Sequence, residues 1–209
     1  MKLYGFTPSV YSWIARLTLA EKGAIAQWVE VDPFADEVPS TYFELNPFGR
    51  VPVLADGDFV LYETNAITRY IDEAKSGPRL QPSSATDRAR MTQIVSIIDN
   101  YAYWPLVRQF FSHGYYRPRL GLPHDPEQRR LGLLAAPRVL SALELLASGS
   151  PFLVSDQLTL ADLHLAPVLG YFSMDADGAA LLKHYPRLSA WWQRMAHRPH
   201  FVSSRPTLV

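Results

Sequence analysis

Asn46-Pro47-Phe48-Gly49-Arg50-Val51-Pro52-Val53-Leu54, followed nine residues later by Glu63-Thr64-Asn65-Ala66-Ile67, is the most informative stretch of this chain. It reads as a turn, a short strand entered through a proline, a hairpin, and an acid–hydroxyl pair that opens a helix. Val51-Pro52 matters because X–Pro bonds are the main place where a cis peptide is accessible. A cis bond there turns the main chain of Val51 outward, leaving its N–H and C=O free to pair with an extended ligand as an added strand does. Glu63-Thr64 falls where a helix begins, so unpaired N–H groups and the positive end of the dipole face the same region. An extended peptide carrying a carboxylate and an ammonium fits such a site. A hairpin and a capped helix with no ligand fit the same residues.

The 209 residues suffice for one large domain or two small ones, and a hydrophobic content of 48% is that of a globular protein. No window approaches the run of about 20 apolar residues that a membrane helix needs. The start, Met1-Lys2-Leu3-Tyr4-Gly5-Phe6, carries no secretory signal pattern, so a cytoplasmic location is expected. Lys+Arg and Asp+Glu both number 20, which argues against a nucleic-acid binder built on phosphate neutralisation. Cysteine is absent, so disulfides, thiolate metal sites and cysteine nucleophiles are excluded. The six histidines form no HExxH motif, His197 and His200 read as a surface pair, and no metal is expected.

Residues 1–75 alternate strand and helix patterns in the order βαβαββα. Strands are expected at Leu3-Tyr4, Trp28-Val29-Glu30-Val31, 51–54 and 60–62, the last two joined through Ala55-Asp56-Gly57-Asp58. Helices are expected over 13–21, stopped by Gly23, over 39–45 and over 64–74. Residues 76–85, rich in proline, serine and glycine, read as a linker, and 86–209 is helical throughout. Ile94, Ile97/Ile98, Tyr101 and Trp104 recur at helical steps with Pro105 as a kink. A second helix is expected near 127–147, with Leu133, Leu140 and Leu143/Leu145 as burial candidates and a bend at Pro137. Thr159-Leu160-Ala161-Asp162 forms a capping box, worth about 1 kcal/mol, before an apolar helix.

The first half resembles the thioredoxin-like domain of the soluble glutathione transferases. Thr159-x-x-Asp162, Tyr185-Pro186-Arg187-Leu188 and Trp191-Trp192 resemble the family's all-helical second domain, so the resemblance covers essentially the whole chain. It implies that Pro52 is cis, that the Val51 backbone pairs with the cysteinyl part of glutathione, and that Glu63 and Thr64 hold its γ-glutamyl end. It also implies glutathione as co-substrate, a structural role for Asp162 and a homodimer, to which Asn65, Arg69, Arg88 and Arg90 would add polar contacts.

Glutathione's thiol becomes a good nucleophile once ionised, and a hydroxyl donor with a positive helix end favours the thiolate. One charge-assisted hydrogen bond, roughly 1.5–3 kcal/mol, is on the scale of a pKa unit, about 1.4 kcal/mol. The hydroxyls after the first strand are Thr7, Ser9, Tyr11 and Ser12. Phe6 stands about where tyrosine-type transferases carry their tyrosine, so the serine types of the phi, theta and zeta classes fit better. Lys2-Leu3-Tyr4-Gly5-Phe6-Thr7-Pro8-Ser9 aligns with a phi-like start, and Ser12-Trp13-Ile14-Ala15-Arg16 resembles a zeta motif; both registers select Ser9. A helix cap is the other reading of Ser9, and Tyr11 and Ser12 remain alternatives.

The sequence also departs from the family. Ser9-Val10-Tyr11 replaces the zeta serine-serine-cysteine run, which disfavours maleylacetoacetate-type isomerisation. Glu37 and Val38 stand where phi enzymes place a His-Lys pair on the glycyl carboxylate; Arg50 is suited to that carboxylate instead, or is a solvated turn residue. Conjugation needs an apolar pocket, and the aromatic run of the helical half, with Tyr101, Trp104 and Phe111, offers lining along with Tyr11. The expected activity is transfer of glutathione to a hydrophobic electrophile. The alternatives are a non-catalytic binding module of the same fold, or a glutathione-dependent dehalogenase, peroxidase or isomerase.

Overall fold

The computed structural model describes residues 1–35 and 37–208. The chain divides into two compact units, one of residues 1–79 with 203–208, the other of residues 80–202.

The first unit is built on a four-stranded sheet. Strands β1 (Lys2–Gly5), β2 (Gln27–Glu30), β3 (Val53–Asp56) and β4 (Phe59–Tyr62) lie in the order β2-β1-β3-β4, parallel between β1 and β2 and antiparallel elsewhere. Helices α1 (Val10–Glu21), α2 (Ser40–Leu45) and α3 (Thr64–Ala74) complete the βαβαββα order that the alternating pattern predicts. Helix α1 starts at Val10, earlier than expected, because Ser9 supplies its cap. Strand β3 starts at Val53, later than expected: Pro52 has no N–H to give to a ladder. Leu3 and Leu54, partners across β1 and β3, pack with Ala15, Leu19, Ile67 and Ile71 to form the core between sheet and helices.

Close packing at one end of the sheet and a buried ion pair at the other tie these elements together. Gly5 has no room for a side chain: a Cβ there would lie 2.4 Å from the Trp28 ring and 2.8 Å from Ser12 Oγ. At the far ends of α1 and α3, the buried Lys22 ammonium donates to Asp72 Oδ1 at 3.0 Å, to the Asp72 carbonyl at 3.0 Å and to the Pro78 carbonyl at 2.9 Å. Its three protons thus have three acceptors, the condition under which a buried ammonium is tolerated.

The second unit is helical. Helix α4 (Ala85–Ile97) runs on into a π-helical segment (Ile98–Tyr116), which closes with Arg117 N–H donating to the Ser112 carbonyl five residues back. The expected kink at Pro105 is thus a long stretch of wider helix. Helices α5 (Pro126–Leu146), α6 (Leu160–Phe172), α7 (Ala176–Leu182), α8 (Pro186–Ala196) and α9 (Pro199–Ser204) follow. Within α5, Leu140 and Leu143 are buried, Leu133 is half-buried, and Leu145, expected inside, is exposed.

Every residue of α6 is buried, as befits a helix apolar all round. Its capping box is present, and Asp162 extends it into a hub. One carboxylate oxygen accepts from Leu153 N–H and the Trp191 indole, each at 2.8 Å; the other accepts from Thr159 N–H at 2.8 Å and its hydroxyl at 2.7 Å. Burial pushes this carboxyl upward, opposed by the hydrogen bonds. None of the described helices is long and apolar enough to cross a membrane.

Candidate active site

The strand register gathers the candidate residues of the first unit. Tyr4 of β1 pairs with Val53 of β3, and Val53 pairs with Tyr62 of β4. The turn over residues 6–9, the Arg50-Val51-Pro52 segment and Glu63-Thr64 therefore all leave the sheet at one end. Helices α1 and α3 both begin there, so two sets of unpaired N–H groups and two positive dipole ends face the same region. Such an arrangement favours an anionic ligand.

Ser9 caps α1: its Oγ accepts from Ser12 N–H at 3.3 Å, and its own N–H donates to the Phe6 carbonyl at 2.8 Å. A hydroxyl that accepts one bond still has a proton to donate, so capping and thiol activation are compatible. The neighbouring hydroxyls differ. Ser12 is fully buried and its Oγ accepts from Phe6 N–H at 3.2 Å. Thr7 is spent on Glu30, whose carboxylate accepts from its N–H at 2.7 Å and its hydroxyl at 2.8 Å. Tyr11 is half-buried. Partial burial pushes the Glu30 carboxyl upward, but the two Thr7 bonds, the Trp28 indole at 2.8 Å and the Arg16 charge outweigh it and hold it below the ordinary 4.5.

The Val51–Pro52 bond is cis. Among the described residues, nothing hydrogen-bonds to the N–H or C=O of Val51. The carbonyl just before it is held twice, by the Tyr42 hydroxyl and by Asn46 Nδ2, each at 2.8 Å. Burial, with Tyr4 nearby, pushes the Tyr42 hydroxyl upward, so it remains a donor. Arg50 itself is exposed, and Glu37 and Val38 lie in the irregular segment before α2.

Glu63 adopts φ +70°, the one positive value among the described residues other than glycine. Such backbone costs about 1–3 kcal/mol in a non-glycine residue and clusters at ligand sites. Its exposed side chain makes no cap on α3. The Thr64 hydroxyl makes no hydrogen bond to a described residue, although Thr64 is only 7% exposed. Among the described residues no cluster of three metal-ligating side chains exists.

In the helical unit, Tyr101 and Trp104 are 66% and 58% exposed. Phe111 is different. It is 3% exposed and stacks on Tyr171 at 4.3 Å between centroids, so it is a core residue and not the pocket lining expected of it. Three participants escaped the sequence reading. Glu30 meets Thr7 across 23 residues, which no local pattern reveals. Tyr42 and Asn46 lie closer, and the Asn-Pro-Phe-Gly turn was a visible signal for Asn46.

Comparison with known proteins bears on the whole chain. Residues 1–73 match the family model described as Glutathione S-transferase, N-terminal domain, and residues 123–199 match Glutathione S-transferase, C-terminal domain. A Glutathione S-transferase of Hyoscyamus muticus is 32% identical over 95% of this chain and 94% of its own. The solved structure of glutathione S-transferase III in apo form is 33% identical, with a TM-score of 0.82 over 97% of this chain and 94% of that one. That of glutathione S-transferase-I bound with lactoylglutathione is 26% identical, with a TM-score of 0.83 over 98% and 97%. With both domains matched and relatives above 30% identity along nearly its full length, the chain belongs to the glutathione S-transferase family.

Proposed function

We propose that the chain conjugates glutathione to hydrophobic electrophiles, with Ser9 stabilising the thiolate. The observation that carries this reading is the convergence of Ser9, Val51 and Glu63-Thr64 at one end of the sheet, where two helices begin. The Val51 main chain pairs with the cysteinyl residue, Glu63 takes the γ-glutamyl ammonium, and the Thr64 hydroxyl and the first N–H groups of α3 take the carboxylate beside it. Arg50 takes the glycyl carboxylate. The Ser9 proton and the positive end of α1 lower the thiol pKa, and the thiolate forms a carbon–sulfur bond as the electrophile expels its leaving group or opens its ring.

Tyr101 and Trp104 are assigned to the electrophile as exposed aromatic side chains, and Tyr11 is a further candidate. The protein works in the cytoplasm as a homodimer built through α3 and α4. Arg69 engages Glu73, Arg88 the Pro82 and Ser83 carbonyls, and Arg90 Gln93, so local pairing occupies three of the expected contact residues. Steady-state assays with glutathione against aromatic halides, epoxides and hydroperoxides test the activity. Saturable turnover of an aromatic halide or epoxide is expected. Glutathione binding without turnover of any of them would favour a binding module, and turnover confined to hydroperoxides would favour a peroxidase.

A further inference from the structure

The residues that touch the ligand are only as well aimed as the backbone behind them. Around Val51 that backbone has little regular support. Gly49 takes φ +61°, Arg50 is exposed, and strand pairing begins only at Val53. What holds it is the double grip on the Arg50 carbonyl. The peptide between Arg50 and Val51 is trans, so its C=O and N–H point in opposite directions. Fixing the oxygen therefore fixes the direction of the Val51 N–H.

We infer that Tyr42 and Asn46 are positioning residues for glutathione, clamping the Arg50 carbonyl so that the Val51 N–H is held facing the ligand. This rests on the reading of Val51 as a ligand contact. The two donors use both lone pairs of the carbonyl oxygen, so a flip of that peptide would break both bonds at once. Each donor is itself fixed. Tyr42 is 4% exposed and packs against the Tyr4 ring at 6.3 Å. Asn46 is 2% exposed; its Oδ1 accepts from Phe48 N–H at 3.0 Å, its carbonyl accepts from Gly49 N–H at 2.9 Å, and its N–H donates to the Tyr42 carbonyl at 3.0 Å. Neither residue needs to touch glutathione.

Two substitutions separate the clamp from general packing. Tyr42→Phe removes one donor and keeps the ring. Asn46→Asp removes the other donor and keeps the acceptor for Phe48 N–H. Each single variant is expected to weaken glutathione binding about 2- to 12-fold, the range of one net hydrogen bond, with kcat at saturating glutathione and the bound thiol pKa unchanged. Because either donor alone still holds the carbonyl, the double variant is expected to lose more than the product of the two single losses. Isothermal titration with glutathione, beside steady-state kinetics and thermal melts, reads all of this. Variants that melt earlier yet bind glutathione as tightly as the natural chain would overturn the clamp while leaving Val51 as a contact. A natural chain that binds no glutathione would overturn both. Should Asn46→Asp fail to fold, unchanged affinity in Tyr42→Phe with an added Asn46→Ala would still overturn the inference.

Discussion

At the scale of single residues, the candidate site is a set of polar groups whose proposed roles are limited by the bonds each already makes. Ser9 was selected because two registers converge on it, and its use as a cap leaves its proton available for the role proposed. Glu63 was legible as an acid at a helix start, but its positive φ was not, since nothing in its side chain demands that backbone. This gives a paired test. Glu63→Ala should weaken glutathione binding by about 1.5–3 kcal/mol, the worth of a charged hydrogen bond. Glu63→Gly should lose affinity likewise while unfolding no more easily than Glu63→Ala, because glycine relieves the backbone. Equilibrium denaturation and calorimetric titration of the two variants check it. Glu30 provides a pH test. Its folded-state pKa is depressed, so its contribution to stability is full above the ordinary carboxylate value and is lost as pH falls below about 4.5. In Glu30→Gln, acid unfolding should therefore be less steep over that range, as read by circular dichroism against pH.

At the scale of elements, apolar spacing predicts helices and strands well but is blind to their hydrogen-bond register. Ile94, Ile97/Ile98, Tyr101 and Trp104 recur at steps that suit an α-helix, yet from Ile98 onward the chain is wound more widely. Leu145 shows the same limit, its place on the exposed side of α5 being set by the neighbours of that helix. The start of α6 was fully legible, because Thr159 and Asp162 are a local device. What the sequence hid is that Asp162 also holds Leu153 and Trp191. Asp162→Ala should therefore cost at least about 3 kcal/mol, well beyond a simple cap, since several buried donors lose their partner. Urea titration of the variant measures this. His164, buried in the same helix, is pulled by burial from 6.5 down to about 3. Between those values the unfolded chain binds a proton that the folded chain refuses, so stability falls on acidification by about 1.4 kcal/mol per pH unit. His164→Asn should lessen the difference in urea stability between pH 6.5 and pH 5.

At the scale of the molecule, the change from alternating to purely helical patterning near residue 80 announced two kinds of structure. The return of residues 203–208 to the first unit was not announced, because short terminal segments carry little periodicity. Assembly is the first molecular test: sedimentation should give about twice 23.6 kDa at micromolar concentration, and a monomer would contradict the homodimer. In the proposed function the chemistry turns on one proton, that of the Ser9 hydroxyl. Ser9→Ala should leave the peptide cradle and glutathione affinity nearly unchanged, while kcat/KM falls about 10- to 150-fold at neutral pH, equivalent to losing roughly 1.5–3 kcal/mol of thiolate stabilisation. The decisive measurement is the ultraviolet absorbance of the bound thiolate, followed against pH in the natural chain and in Ser9→Ala. A titration displaced upward by about 1–2 units in the variant is the result expected; coincident curves would contradict the assignment of Ser9 as the group that activates glutathione.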